Sequence, residues 1–349
     1  HLTGRGWHVT VYCQEDGSGP IRESVWNGIR LVHVPVALKG PKATLAYDLR
    51  CVLHALVEEG LVLTLGYNTA VFNLLLKLAG HRNLINMDGL EWRRAKWGPL
   101  ARAWLYANER FAVLAADRLI ADHPEIMMHL RTRTRSDIAC IPYAQPRLAS
   151  APREPLARLS LEPDGYALVV ARPEPENSIL EVVQAWSRRK RGCRLVVLGN
   201  YAGGARYVRS VVAAASDEVV FPGAIYEPDI LAALRFHCRL YLHGHTVGGT
   251  NPSLVEAMAA GNAVVAQDNP FNRWVLGDAG RYFTDAGHLD AVLAGVLDDA
   301  AACRTMRAAA VERHAEAFTP ELVLGAYEAL LAEWLPKQPE GTGQWAVRA

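Results

Sequence analysis

Gly248-Gly249-Thr250-Asn251-Pro252-Ser253-Leu254-Val255-Glu256-Ala257-Met258-Ala259-Ala260-Gly261 is the stretch on which the fold turns. Two glycines leave the backbone bare, Asn251 is a strong helix cap, and Pro252 suits the first helical position, where its missing N–H would be unpaired in any case. A helix therefore starts at Pro252. Apolar runs, Leu240-Tyr241-Leu242 upstream and Ala263-Val264-Val265-Ala266 downstream, set this helix between two buried strands. In a strand-loop-helix-strand unit the loop and the open N–H groups of the first helical turn face the carboxyl edge of a parallel sheet, where anionic ligands collect. Glu256 falls one turn into the helix, on the side of Ser253. Like charges repel, so a carboxylate beside a phosphate site binds sugar hydroxyls, and the stretch reads as a nucleotide-sugar site.

The chain has 349 residues, room for two domains with separate cores. Half of the residues are hydrophobic and the formal net charge is +1, which excludes the strongly basic footprint of a nucleic-acid-binding domain. The six cysteines, Cys13, Cys51, Cys140, Cys193, Cys238 and Cys303, are scattered without a C-x-x-C pair, as suits a reducing cytoplasm. Apolar runs fall short of the roughly 20 residues that cross a membrane.

His1 to Trp7 carries two glycines and reads as the tail and stop of a helix. Doubly wound domains begin with a strand, so a first strand, its Gly-rich turn and most of a helix are expected upstream. Strands follow at 9–13, 29–34, 61–65, 83–87, 118–121 and 139–141, with helices at about 44–59, 68–79 and 97–116. Such alternation predicts a parallel sheet with helices on both faces. Periodicity fades and prolines gather between Pro142 and Pro163, and then the alternation restarts, with strands at 166–171, 194–199, 218–221, 240–243, 263–266 and 281–283. The expected organisation is an N-terminal Rossmann-like domain over 1–145 on the acceptor side, a linker over 146–165, a nucleotide-sugar-binding Rossmann-like domain over 166–318, a helix over 319–336 packing back on the first domain, and a disordered tail over 337–349.

Arg172-Pro173-Glu174-Pro175-Glu176-Asn177, taken with the 251–261 stretch, resembles the retaining glycosyltransferases of family four, which have the GT-B fold. Asp88-Gly89-Leu90-Glu91-Trp92, His243-Gly244-His245, Gly248-Gly249-Thr250-Asn251-Pro252 and Asp268-Asn269-Pro270-Phe271-Asn272-Arg273 are similar to its bacterial rhamnosyltransferase branch, which builds cell-surface polysaccharides. The resemblance spans nearly the whole chain. It implies an α/β architecture of two Rossmann-like doubly wound domains facing a cleft. The implied activity is transfer of a sugar, L-rhamnose from dTDP-rhamnose, onto a lipid-linked or oligosaccharide acceptor. The expected setting is cytoplasmic, with peripheral contact at the inner face of the membrane as an alternative.

Arg172 stands at a strand end, where a guanidinium reaches diphosphate oxygens. A charge-assisted hydrogen bond contributes roughly 1.5–3 kcal/mol against the ~0.3–1 of an exposed helix dipole, so Arg172 is the expected main stabiliser of the leaving diphosphate, with the amides of Gly249 and Thr250 second. Lysine is usual in the family where Asn177 stands. Glu256 resembles the second carboxylate of the family's Glu-x7-Glu pair, which holds the ribose. The first would fall at Gly248, and its loss favours dTDP-rhamnose over a glucosyl or mannosyl donor. Asn200, Tyr201, Ile225 and Tyr226 follow strands and are candidates for the nucleobase wall, Ser253 and Leu254 for the phosphate end, Asn251 for the cap above it, and His243 for a donor contact. Asp88 and Glu91 follow a first-domain strand and could orient the acceptor or take its proton; no base is assigned.

His237, Cys238, His243 and His245 invite a zinc reading, but two of them share one strand face and no metal site is expected. The chain has no Asp-x-Asp, and no cofactor is called for beyond the donor substrate. Trp97, Leu100, Trp104, Ala107, Phe111 and Leu114 form one helical stripe behind Arg93, Arg94 and Lys96, for which packing on the first sheet is the simpler account and an anionic membrane surface the other. Arg188-Arg189-Lys190-Arg191 reads as a solvated helix end. The vacant carboxylate position and Asn177 keep a second function open, a catalytically degenerate nucleotide-sugar binder or partner subunit.

Overall fold

The computed structural model describes residues 1–94 and 96–335, so the expected tail over 337–349 lies outside the described residues. Two compact units form. One comprises His1–Asp88, Pro99–Ile141 and the chain from Leu324 onward, the other Gly89–Gly98 and Pro142–Val323.

In the first unit, β1 (Val9–Asp16), β2 (Arg22–Trp26) and β3 (Ile29–Val36) form a sheet in which β3 runs parallel to β1 and antiparallel to β2. The sequence reading missed β2, because all five of its residues are exposed and show no burial alternation. The overlooked signal was Asn27-Gly28. Both residues have positive φ, 48° and 77°, the combination that a two-residue hairpin turn demands. After α1 (Pro41–Ala55) come β4 (Leu61–Leu65), α2 (Asn73–Leu78), β5 (Arg82–Asn86), α3 (Pro99–Ala115), β6 (Arg118–Ala121), α4 (Pro124–Arg131) and β7 (Ile138–Cys140), whose strands make a parallel sheet in chain order. The α3 stripe does not pack as expected. The helix buries Leu105, Asn108, Glu109, Ala112 and Ala115, whereas Leu100 is 89% exposed and Trp104 and Leu114 are exposed as well. Small alanines allow close approach, and the buried Glu109 carboxylate lies 3.0 Å from His129 and 3.3 Å from Arg133.

In the second unit, α5 (Glu154–Ala157) precedes β8 (Tyr166–Val170), α6 (Ile179–Ser187), β9 (Arg194–Leu198), α7 (Arg206–Ala213), β10 (Val219–Gly223), α8 (Pro228–Phe236), β11 (Leu240–His243), α9 (Pro252–Ala259), β12 (Val264–Gln267), α10 (Pro270–Leu276), β13 (Arg281–Phe283), α11 (Ala286–Leu297) and α12 (Ala300–Ala317). The sheet is parallel throughout, in the order β10-β9-β8-β11-β12-β13. Strand order reverses between β8 and β11, and in open sheets of this kind the crevice for a ligand opens there, outside the carboxyl ends. One face of the sheet buries Val182, Val183 and Trp186 of α6 with Leu289 and Leu293 of α11; the other buries Leu234 of α8 with Leu254 and Met258 of α9. Each such side chain contributes roughly 1.5–3 kcal/mol. The 146–165 stretch is fastened rather than free, for Leu148 N donates to Ala259 O at 3.0 Å and Leu156 and Leu161 enter the second core.

A final helix, α13 (Pro320–Trp334), begins in the second unit and runs into the first, where Asn86 Nδ2 donates to the Tyr327 hydroxyl at 2.7 Å, Arg5 to Glu328 at 2.7 Å, and the Arg82 guanidinium lies over the Trp334 ring. All six cysteines are free thiols, and no described helix is long and apolar enough to cross a membrane.

In the Arg188–Arg191 run the first three residues are exposed, as a solvated helix end requires, but Arg191 is not. The Arg191 side chain is 3% exposed and pairs with Asp290 of α11, which Arg189 also reaches at 2.5 Å. These guanidiniums hold the Asp290 carboxyl below its usual range. A depressed carboxylate pKa stabilises the fold fully above the unfolded value near 4 and loses that contribution as pH falls through the lowered value. Asp290→Asn should therefore cost about 3 kcal/mol in urea unfolding at pH 7, by leaving a buried guanidinium unpaired, and the gap from wild type should close below about pH 4. A variant as stable as wild type at pH 7 would contradict this.

Candidate active site

The loops after β8 and β11 are fastened to each other at the reversal of strand order. Thr246 donates to the Glu176 carbonyl through both its N–H and its hydroxyl, each at 2.9 Å. A Cβ on Gly244 would stand 2.2 Å from the Asn177 carbonyl oxygen, so only glycine permits the approach. Asn177 is buried, and its Nδ2 donates to the Arg172 carbonyl at 2.8 Å. One amide hydrogen of Asn177, a donor-binding candidate in the sequence, is thus used in shaping the loop. The loop leaves Arg172 free to act outward. Its side chain is 66% exposed, with Glu174 3.8 Å away.

β11 delivers His243 into the interior, where it is 1% exposed and stacks on His245 with ring centroids 4.4 Å apart and planes within 12°. His243 is therefore a support beneath His245, not a surface contact for the donor. Burial pushes both imidazoles down; His245 reaches about 4, with the charges of Arg94 and Arg172 adding to the effect. Both rings are neutral near pH 7.

Further along, Gly248 has φ 136° and open space around its Cβ direction, a backbone that side chains rarely adopt. The vacant carboxylate position is thus written into the main chain. Thr250 is buried. Asn251 caps α9, its Oδ1 accepting from Ser253 N at 3.1 Å and from Ser253 Oγ at 2.9 Å, so the serine hydroxyl serves the cap. Leu254, expected at the phosphate end, lies wholly in the core. Glu256 is paired with Arg235 of α8, a partner the sequence reading missed, and stays partly exposed. One ion pair occupies a fraction of a carboxylate's acceptor capacity, and the rest remains for hydroxyls.

The proposed base wall divides. Tyr226 is 84% exposed and Ile225 half-buried, but Tyr201 is buried, its ring packed on Phe221 at 4.9 Å and against Gly199, so it belongs to the core. Asn200 is exposed, and its Oδ1 accepts from Ala202 N at 3.2 Å. The acceptor-side pair divides as well. Asp88 belongs to the first unit, on a left-handed turn (φ 40°) with its N–H donated to Asn86 Oδ1 at 3.0 Å, and its charge and that of Asp122 act on the Tyr327 hydroxyl. Glu91 belongs to the second unit, 2.7 Å from Arg94, which lies 3.5 Å from Glu176. Asn269 and Asn272 were noticed only as part of a motif, yet both donate to the His245 carbonyl, at 3.0 and 2.9 Å.

His237 and Cys238 precede β11, His243 ends it and His245 lies in the loop beyond, and among the described residues no cluster with metal-holding geometry forms. At the opposite, amino edge of this sheet lies a cavity of about 460 Å³ lined by Arg147, Arg153, His237 and Arg307. Its arginines are largely spent on the chain itself, Arg147 on the carbonyls of Leu148 and Ala259, Arg307 on Cys238 O and Asp164.

An open parallel sheet in this strand order, with a basic loop and a capped helix at its switch point, defines a nucleotide-binding α/β unit of the kind found in GT-B glycosyltransferases. Residues 156–316 match the family described as glycosyl transferases group 1, and residues 8–144 match a domain of unknown function, DUF1972. With these matches and this fold the chain is a glycosyltransferase. No curated protein matches its sequence significantly. Among solved structures it resembles sucrose-phosphate synthase from Thermosynechococcus elongatus (19% identity, 95% of this chain and 90% of that one, TM-score 0.80). It also resembles Anabaena HepE in complex with UDP (14%, 86% and 86%, 0.68) and a UDP-forming α,α-trehalose-phosphate synthase from Burkholderia xenovorans in complex with glucose-6-phosphate (13%, 92% and 91%, 0.71).

If the two loops must touch for the site to exist, Gly244→Ala should lower the melting temperature and abolish stabilisation by UDP or dTDP, since overpacking costs roughly 1–3 kcal/mol. Gly203→Ala, where nothing lies within 4 Å, should leave both unchanged. Equal behaviour of the two variants in thermal denaturation would contradict the expectation.

Proposed function

We propose that the protein is a retaining glycosyltransferase of family four that moves a sugar from a nucleoside diphosphate, with L-rhamnose from dTDP-rhamnose as the favoured donor and a lipid-linked or oligosaccharide acceptor in cell-surface polysaccharide synthesis. One observation carries the reading. At the reversal of strand order, an exposed guanidinium and the capped amino end of α9 stand on the same sheet edge. Positive charge and helix amides together suit a diphosphate. In this reading Glu256, steadied by Arg235, binds the ribose hydroxyls, and Tyr226 offers a face to the base. Relatives of this fold were crystallised with UDP, which supports a nucleotide donor without naming its sugar.

Retention follows if acceptor oxygen and leaving phosphate share one face of the sugar. The bond from the anomeric carbon to the phosphate oxygen breaks, the bond to the acceptor oxygen forms on that face, and the acceptor proton passes to the departing phosphate. The group that must be stabilised is the developing diphosphate charge, and Arg172 is assigned to it with the amides of Gly249 and Thr250. No metal is needed in this scheme. The glycine at 248 and the internally engaged Asn177 supply the contrary case, a binder without turnover.

Incubation of the protein with dTDP-rhamnose, UDP-glucose and a glycolipid acceptor separates the two. We expect product from dTDP-rhamnose, undiminished by EDTA, and a fall in kcat/KM of roughly 10- to 150-fold for Arg172→Gln, the worth of one charge-assisted hydrogen bond. Turnover with UDP-glucose alone would refute the donor assignment, and binding without any product would favour the degenerate protein. The exposed Leu100, Trp104 and Leu114 of α3 suit a lipid surface near the acceptor. Sedimentation with anionic vesicles at low salt should pellet the wild type and leave Leu100→Ser/Leu114→Ser in the supernatant; a wild type that stays in the supernatant removes the membrane contact.

A further inference from the structure

We propose that His245 is the residue that reads the transferred sugar, through a hydrogen bond between its ring nitrogen Nε2 and a sugar hydroxyl, and that Asn269 and Asn272 are positioning residues that act on it through its backbone carbonyl. The inference rests on the donor site proposed above and adds to it the group that distinguishes sugar nucleotide from bare nucleotide.

Three observations converge. First, the two stacked imidazoles carry three buried nitrogens without a hydrogen-bond partner, both of His243 and Nδ1 of His245; the His243 ring lies beside Asn272 without a bond of normal geometry. Unpaired buried polar atoms are costly, and apolar rings would fill the same volume without that cost, so fold stability alone does not account for them. Nε2 of His245, on a residue that is only partly buried, is the one nitrogen of the pair outside that enclosed set.

Second, the loop that carries His245 is immobilised from three sides. Thr246 is fastened to Glu176, Gly244 lies against Asn177, and the His245 carbonyl accepts from Asn269 Nδ2 and Asn272 Nδ2. Asn272 donates also to Gln267 O at 2.8 Å, and Asn269 to Gln267 Oε1 at 2.6 Å, which binds this clamp to the end of β12. Two amides spent on one carbonyl give the Asn-Pro-Phe-Asn segment a purpose that helix capping of α10 does not exhaust.

Third, charge sorts the ligand's parts. Burial keeps the His245 ring uncharged, with the Arg94 and Arg172 guanidiniums adding to the effect. An uncharged imidazole adds little to a diphosphate already facing Arg172, but it donates to or accepts from a hydroxyl equally well. At a diphosphate site the hydroxyls next to the charged group are those of the ribose, assigned above to Glu256, and those of the transferred sugar, which are left for His245.

Calorimetric titration of dTDP, dTDP-rhamnose, UDP and UDP-glucose into wild type, His245→Phe, His245→Gln and Asn272→Ala tests this. Phenylalanine keeps the stacked ring and removes its nitrogens. For whichever nucleotide pair the wild type binds, His245→Phe should weaken the sugar nucleotide about tenfold, one hydrogen bond's worth, and leave the free nucleoside diphosphate within about twofold. His245→Gln, with a neutral amide at similar reach, should recover most of the loss, and Asn272→Ala should show a smaller loss in the same direction. Equal weakening of sugar nucleotide and nucleoside diphosphate, or no change in either, would overturn the role of His245 while leaving the donor site standing. A wild type that binds none of the four would overturn the donor site itself, and this inference with it.

Discussion

The contact between the Glu176 carbonyl and Thr246, with the Asn177 carbonyl pressed over Gly244, is the constraint on which the site depends. Without it the loops after β8 and β11 would be independent surface segments, each paying its own ordering entropy whenever a ligand arrived. Fastened together they hold Arg172 outward and His245 in place before any ligand binds. The cost of pre-organisation is met in the fold, by a parallel sheet whose two faces bury large apolar side chains.

Around that contact the polar residues fall into two groups. Asn177, Asn251, Asn269 and Asn272 hydrogen-bond the main chain, the Ser253 hydroxyl bonds the Asn251 side chain, and together they define geometry. Arg172 and Glu256 present charge outward from that frame, one exposed and the other partly exposed beside Arg235. A family-like motif therefore holds residues of both kinds, and type alone does not say which is which.

The periodicity of the second unit made its strands and the start of α9 legible, because buried parallel strands are short apolar runs and a helix start after Asn-Pro has a clear physical signature. Other features were hidden for identifiable reasons. β2 carries no burial pattern, and its Asn-Gly turn was passed over. The apolar residues of the α3 stripe are large and conspicuous, yet the buried face uses alanines and a paired glutamate, which amphipathicity does not reveal. Arg191 was read as solvated because its partner, Asp290, lies 99 residues away. Tyr201 and Leu254 sit at the right places in the chain for ligand contacts, but their side chains turn into the core. The sequence could locate the loops of the site; it could not tell which of their side chains point out.

Hydrogen-exchange mass spectrometry with saturating UDP or dTDP tests the central claim most directly, that the joined loops at the carboxyl edge of the second sheet grip a nucleoside diphosphate. Slowed exchange should fall on residues 171–178 and 244–254. Protection confined to residues 147–153 and 304–311, around the amino-edge cavity, would contradict the account.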